Sequence, residues 1–320
     1  MSNFKYVFSV VIPTYNRAEI LRKTLDCIEN QETTFDFEVI VVDDCSTVPL
    51  LNLGFGKGKR KSWKLLRNER NQGRAATRNR GIRESRGEYI LMIDDDVWVS
   101  SGLLQAHYQA QKRIGGGVVI GAVPPAKETD DTVWNRYIKK RFERIHFRLQ
   151  DSNLDYGLFL TGNVSIPAGL IKDFAGFDER FKDYSFEDTE MGYRLYKAGV
   201  KFSHAPEAVG YHMFSEDLDS LCRKAYQMGR SSYIFMEMHP EESHAIQHHS
   251  ITQGPWSGAD ALKNIIKVII FNRPAVVILK QITLVAALLK LEKLVFAIMP
   301  WVELQHMSQG ANEKRTANRS

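Results

Sequence analysis

The apolar positions of this chain fall into two regimes. Up to about residue 122, short unbroken hydrophobic runs alternate with stretches whose apolar residues recur every three or four positions. Continuous runs predict strands covered on both faces, and the longer spacing predicts amphipathic helices. Residues 8–12 form the first run, and the turn from Pro13 to Arg17 leads into a helix over about 18–31, with Ile20, Leu21, Leu25 and Ile28 on one face. Residues 38–42 are the second strand, ending in Asp43-Asp44. Residues 63–66, inside the basic stretch 57–70, read as an edge strand, because charge on an edge discourages stray pairing. A helix opens near Asn71 and ends near Gly87, and the run 89–93 then delivers Asp94, Asp95 and Asp96 to its carboxyl end. A helix over 101–113 and a strand over 118–122 complete the alternation. The pattern predicts an α/β fold with a doubly wound sheet, whose ligand cleft lies outside the carboxyl ends of the strands.

Beyond that point the periodicity is less regular. Residues 124–153 interleave Trp134, Tyr137, Phe142 and Phe147 with Lys139, Lys140, Arg141, Arg144 and Arg148, which fits a solvated amphipathic helix or a lid facing an acceptor or a membrane. Residues 157–166 read as a strand. Ser185 is placed to cap a helix with Glu187 and Asp188 in its first turn, where the helix dipole favours negative charge. A loop through Pro206 reaches the short strand-like run 208–211 and His212. Residues 259–301 are apolar but punctuated by Lys263, Lys267, Arg273, Lys280, Lys290 and Lys293, so no uncharged run reaches the about 18 residues that a membrane span needs. Amphipathic helices broken at Pro274 and Pro300 are expected, fitted to a bilayer surface or to a dimer or core face. Residues 308–320 are polar and read as a loose tail.

Composition narrows the classes. With 43% hydrophobic and 25% charged residues among 320, the chain is an ordinary globular sequence. A net charge of +5, spread along the chain, suits acidic ligands such as nucleoside diphosphates or an anionic membrane, and does not indicate a nucleic-acid binder. Cys27, Cys45 and Cys222 lie far apart without a C-x-x-C pair, so neither a disulfide framework nor a zinc site is expected. The run 7–12 is too short for a signal peptide core, and a cytoplasmic location is the expectation. Three successive carboxylates at a strand end repel one another unless a cation sits among them, and hard oxygens suit Mg²⁺ or Mn²⁺. The same residues also fit an acidic solvated turn.

Five fragments, in order, carry a resemblance. They are Val10-Val-Ile-Pro-Thr-Tyr-Asn-Arg17, Val41-Val-Asp-Asp-Cys-Ser46, Asn71-x-Gly73 with Ala76-x-Arg78-Asn79-x-Gly81, the triplet Asp94 to Asp96, and Gly176-Phe-Asp-Glu with Phe186-Glu-Asp-x-Glu190. Together, over about residues 8–212, they resemble the family 2 inverting glycosyltransferases of the GT-A fold. Residues 176–194 also resemble the carboxyl-terminal part of galactosyltransferase-type domains, with Tyr184 to Phe186 where a tryptophan is often found.

The resemblance implies a GT-A (nucleotide-diphosphosugar transferase, Rossmann-like) mixed sheet flanked by helices. It places a catalytic domain over 1–215, with a nucleotide half to about 123 and an acceptor half from 124. A helical region over 216–307 and the tail follow. It implies metal-dependent, inverting transfer from a nucleotide-sugar donor, UDP preferred, to a saccharide or lipid-linked acceptor, with Mn²⁺ or Mg²⁺ as cofactor. Pro13 and Tyr15 would frame the nucleoside and Asp44 would bond the base, Asp43 being the weaker candidate. Arg74 and Arg78 would meet base or pyrophosphate, or else serve as surface charge on a helix. Asp95 would touch the ribose. Asp94 and Asp96 would form the metal-binding D-x-D pair, Asp96 more directly, with His212 as a further ligand. Asp188 would be the general base and Glu187 would bind acceptor or sugar hydroxyls. The carboxyl-terminal helices would dock on the cytoplasmic face of a membrane or form a homodimer.

Two rival readings remain open in the sequence. A haloacid-dehalogenase-type phosphatase would use Asp94 and Asp96, but it wants Thr or Val where Trp98 stands and places the motif after its first strand. A membrane-docked scaffold of the same fold would keep the architecture without the chemistry. The absence of G-x-G-x-x-G after the first strand argues against a dinucleotide dehydrogenase.

Overall fold

Four of the expected strands line up in parallel: β1 (Tyr6–Thr14), β2 (Phe37–Asp43), β3 (Lys61–Arg67) and β4 (Gly87–Ile93), in the order β3-β2-β1-β4. The computed structural model describes residues 4–50, 61–151, 153–242 and 273–318. Lys57, Lys59 and Arg60 of the basic stretch, and the lysines Lys263 and Lys267, therefore lie outside the described residues, as does the side chain of Arg273. Helices α1 (Ala18–Glu29) and α2 (Arg74–Glu84) connect the parallel strands. Then follow β5 (Val97–Val99), α3 (Leu103–Ile114), β6 (Val118–Ala122), α4 (Val133–Arg148), β7 (Asn163–Pro167), α5 (Ala168–Asp173), α6 (Glu187–Lys197) and β8 (Phe202–His212). They extend the sheet as β4-β7-β6-β8-β5, with β7 antiparallel to both neighbours and β8 parallel to β6 but antiparallel to β5. The result is a mixed α/β sheet of eight strands, as the resemblance implied.

Side chains alternate across the pleat, so each central strand feeds two cores. Val10, Ile12, Val39, Val41, Leu91 and Ile93 pack with α1 and α3 on one face, while Val11, Ile90, Met92, Ile120, Val164 and Ile166 meet α2, α5 and α6 on the other. Every residue of β2 and β6 is buried, which is why these strands read as continuous apolar runs rather than alternating ones.

Contacts divide the chain into two units. The first comprises Met1–Thr129, Lys139–Lys182 and Glu187–Phe214 and holds the sheet. The second comprises Asp130–Ile138, Asp183–Phe186 and Ser215–Ser320, so α4 contributes its beginning to one unit and its remainder to the other. Helices α7 (Leu218–Met238), α8 (Arg273–Leu288) and α9 (Glu292–Ala317) build the second unit around Leu221, Cys222, Ala286, Val295, Met299 and Val302. The side chain of Asp217 and that of Ser220 close a reciprocal cap at the start of α7. α7 and α9 approach backbone to backbone: a Cβ on Gly229 would lie 1.8 Å from the carbonyl oxygen of Met307.

Several expectations need correction. Where a strand was expected over 157–166, only Asn163–Pro167 is strand. Tyr156–Leu158 is a single tight turn, because the Asp155 carboxylate accepts the Gly157 N–H and bends the chain. Pro206 lies inside β8 rather than in a loop, at a register break where Gly121 faces Ala205 and Ala122 faces Val209. α6 begins after Phe186, and Ser185 (φ 71°) is left-handed rather than in the extended backbone an N-cap uses. Pro300 does not end its helix: the buried Met299 and Val302 anchor α9 on both sides of it, and packing overrides the local signal. The tail is helical to Ala317, tied down by Tyr226 to the Glu313 carboxylate and by Asn318 Nδ2 donating to Glu237 Oε2 at 3.1 Å.

Candidate active site

Because β1, β2 and β4 run parallel, Thr14, Asp43-Asp44 and Asp94 to Asp96 emerge at the same edge of the sheet. Pro13 is buried in β1 opposite Val42, and Tyr15 beyond it is 43% exposed. Asn16 takes a left-handed φ of 54°, and its Oδ1 accepts from both N–H and Oγ1 of Thr47, which joins the loops after β1 and β2. Asp44 is buried. Its Oδ1 accepts from Asn68 Nδ2 (2.7 Å) and the Gln72 N–H (2.9 Å), and its Oδ2 accepts the Gly73 N–H (2.9 Å). These bonds hold the turn that opens α2. Gly73 is required there by its φ of +88° and by the Lys182 carbonyl oxygen, 3.1 Å from where a Cβ would sit. Asp43 is occupied by Arg67 and the Ser46 N–H.

Two arginines organise the carboxylates. Arg78, expected to meet base or pyrophosphate or else to serve as surface charge, is fully buried: Nη1 donates to Glu187 Oε1 and Nη2 to Asp94 Oδ1, each at 2.8 Å. Both terminal nitrogens are thereby committed to protein carboxylates rather than presented as free donors. Loss of water opposes its charge, but Asp94 and then Glu187 hold it more firmly protonated than usual. Glu187 is itself buried, and its second oxygen, Oε2, has no partner. Asp188 follows at the start of α6, where burial, reinforced by the negative charge of Glu187, pushes its carboxyl up to about 7. Asp94 also repels it, so the Asp94, Arg78, Glu187 and Asp188 side chains form one electrostatic cluster.

The second arginine was not singled out from the sequence. Arg17 Nη1 lies 2.8 Å from both Asp95 Oδ1 and Asp96 Oδ2. Asp95 Oδ2 accepts from Thr14 Oγ1 at 2.7 Å, so both its oxygens are engaged. Burial raises the Asp95 carboxyl to about 6, against the pull of Arg17. For Asp96, burial also favours the protonated form, but His212 and Arg17 outweigh it and its carboxyl falls well below the usual range. His212 Nε2 stands 3.3 Å from Asp96 Oδ2, with its ring packed against Phe142 and Phe214. The β5 and β8 ladder makes that meeting, pairing Val97 with His212, and the Met213 N–H donates to the Asp96 carbonyl at 2.8 Å. Arg74 is exposed on the first turn of α2, close enough for its charge to oppose those of Arg17 and Arg78.

Among the described residues, no three His, Cys, Asp or Glu side chains form a ready-made metal cage. Asp96 and His212 come together, whereas Asp94 is drawn to Arg78. The donor set still fits Mg²⁺ or Mn²⁺, since such ions are commonly held by one or two protein ligands plus substrate phosphates. Asp96 Oδ1 is buried without a hydrogen-bond partner, an orphaned hard oxygen of the kind such a cation takes.

The sequence matches Glycosyl transferase family 2 over residues 9–165 and Glycosyl transferase family group 2 over residues 89–302, the greater part of the chain. The chain belongs to the family 2 glycosyltransferases. Consistent with that membership, it is 30% identical over 243 residues to the chondroitin synthase of Escherichia coli, a match covering 64% of this chain and 34% of that longer protein. The fold is similar to that of a Pyrobaculum calidifontis mannosyltransferase solved with GDP-Man and Mn²⁺ (TM-score 0.63, 17% identity, 99% of this chain and 89% of that one). It is also similar to Staphylococcus aureus TarS 1-349 solved with UDP (TM-score 0.53, 17% identity, 98% and 91%). The placement of Asp94-x-Asp96 after β4 rather than after the first strand separates this glycosyltransferase from the dehalogenase-type phosphatases.

Proposed function

We propose that the chain transfers a sugar from a nucleoside-diphosphate sugar, UDP-linked in the first instance, to a hydroxyl of a saccharide or lipid-linked acceptor, as in the synthesis of cell-surface polysaccharide. The observation that carries this reading is Arg78, which binds Asp94 of the D-x-D segment to Glu187 and so brings the end of β4 next to Asp188. Asp188 accepts the proton of the acceptor hydroxyl as that oxygen bonds to the anomeric carbon. The bond from that carbon to the β-phosphate oxygen breaks with its electron pair leaving on the diphosphate, and a single displacement inverts the configuration. A carboxyl near 7 is matched to this task, being ionised enough at neutral pH and still basic. Glu187 Oε2 is free to accept from a sugar or acceptor hydroxyl. Asp96 and His212 would hold Mn²⁺ or Mg²⁺, which when bound stabilises the negative charge that builds on the departing diphosphate. Tyr15 and Arg74, exposed just beyond β1 and on the first turn of α2, together with the buried Pro13 that precedes Tyr15, are the proposed contacts to the nucleoside and diphosphate. Asp188→Asn tests the reading: transfer should fall by roughly 10²- to 10⁴-fold, while UDP with Mn²⁺ still raises the melting temperature. Normal turnover would move the base elsewhere.

A second element of the reading concerns the helical unit. Val277, Ile278, Ile282, Val285 and Leu288 of α8 and Leu289 just after it are exposed, and Lys290 and Lys293 are exposed beside them. No described helix is long and apolar enough to cross a membrane. An apolar helix face bordered by lysines suits the interface of an anionic bilayer, the apolar side chains entering the acyl boundary and the ammonium groups meeting phosphates. Sedimentation with vesicles containing anionic lipid, reduced by Ile282→Glu with Val285→Glu, is the expected result. A concentration-dependent dimer that ignores vesicles would assign the face to a second copy instead.

A further inference from the structure

The two carboxylates that lead into β5 already share a cation, and it belongs to the protein. A single nitrogen, Arg17 Nη1, contacts Asp95 Oδ1 and Asp96 Oδ2 at 2.8 Å each. The carboxylates are fixed: their side chains are only 6% and 10% exposed, Asp95 is bonded to Thr14 Oγ1, and the Asp95 carbonyl accepts from Thr24 Oγ1. Arg17 is the most open member of the cluster, with 38% of its side chain exposed, and it projects from the residue immediately before α1. Asp96 keeps one buried oxygen, Oδ1, without any partner, and the other faces His212 Nε2 at 3.3 Å. A cation reaching Asp96 through its unpartnered Oδ1 and taking His212 would stand at the carboxylate that Arg17 already holds through Oδ2, and two positive charges at one carboxylate repel.

We propose that Arg17 is an exchangeable counter-cation: it neutralises the Asp95–Asp96 pair in the donor-free protein and yields Asp96 when a divalent ion arrives with the nucleoside diphosphate. The inference rests on the cation assigned above to Asp96 and His212. Arg17 keeps adjacent buried carboxylates from repelling each other while the cleft is empty, and it makes the site a poor binder of free metal. The diphosphate supplies the extra ligands that tip the exchange, which couples metal uptake to donor uptake.

The test measures metal binding rather than turnover. Free Mn²⁺ is followed by electron paramagnetic resonance during titration of the full chain with MnCl₂, with and without UDP. The wild type should bind Mn²⁺ weakly alone and much more tightly with UDP. Arg17→Gln should bind Mn²⁺ alone roughly tenfold more tightly, because a competing positive charge is gone, and should lose much of the UDP enhancement. Arg17→Lys, which keeps the charge, should behave like the wild type. Equal or weaker binding by Arg17→Gln would overturn the exchange role. If neither wild type nor variant takes up Mn²⁺ even with UDP, the cation assignment itself falls, a different failure with a different signature. Should Arg17→Gln not fold, a wild-type crystal with MnCl₂ and UDP decides: Nη1 should have left Asp96, and Nη1 still at hydrogen-bond distance from both carboxylates beside a bound Mn²⁺ would overturn the proposal.

Discussion

Two arginines each bridge two carboxylates in the same sheet-bearing unit, yet they are built for opposite purposes. Arg78 is 1% exposed and lies between Asp94 and Glu187, the latter 3% exposed, so neither Arg78 nor Glu187 can reach water if the other is lost. Arg17 is 38% exposed, and only its carboxylates are buried. A buried ion pair is costly to break because the surviving charge has no solvent, whereas a half-exposed one is cheap to rearrange. The same chemistry thus provides a rivet at one place and a removable plug at the other.

That contrast is open to direct attack. The largest effect is expected from Arg78→Met, which strands Glu187 and loosens Asp94: a loss of about 3–5 kcal/mol, read as a clear drop in the thermal or urea midpoint. A variant as stable as the wild type would erase the distinction between the two arginines. Next is a pH effect that isolates the Glu187 side of the rivet. The Asp188 carboxyl is held up at about 7 by burial and by Glu187, and the ionised form is the active one, so the transfer rate should rise with pH through about 7 and then level off. Glu187→Gln removes the neighbouring negative charge and should move that rise to lower pH by roughly one unit; a shift to higher pH would contradict the electrostatic account. The smallest effect is on the plug: in chelator, Arg17→Gln should cost clearly less stability than Arg78→Met, because Asp95 keeps Thr14 Oγ1 and Asp96 keeps His212 when the guanidinium is gone, and a loss as large as that of Arg78→Met would show that both arginines are structural.

Much of the sheet was legible from sequence because β1, β2, β4 and β6 are short apolar runs bounded by turn residues, and burial on both faces leaves no other reading. β5 and most of β8 were not. Val97–Val99 is too short to show a period, and Pro206 is a strand-breaking signal that a register break absorbs. In the site, Asp96 and His212 were paired by resemblance and the structure brings them within 3.3 Å. Arg78 illustrates the opposite limit: an arginine on a helix that begins Arg-Ala-Ala-Thr-Arg carries no local mark of burial, and only the carboxylates arriving from β4 and α6 explain it. Arg17 stood in plain view at the end of Pro13-Thr-Tyr-Asn-Arg17, but nothing in that string states that residues nearly eighty positions away share its Nη1.

The register break in β8 reaches further than its size suggests. Between the pairs Gly121 with Ala205 and Ala122 with Val209, β6 advances by one residue while β8 advances by four. Side chains along a strand point alternately up and down, so the surplus acts as a phase setter for everything downstream, including the histidine that faces Asp96. Deleting a single residue from that surplus would leave the hydrophobic layers largely intact yet rotate His212 to the wrong side, a mistimed gear in a sound gearbox. Shortening by two would restore the beat, so parity, more than length, is what evolution must preserve in this stretch.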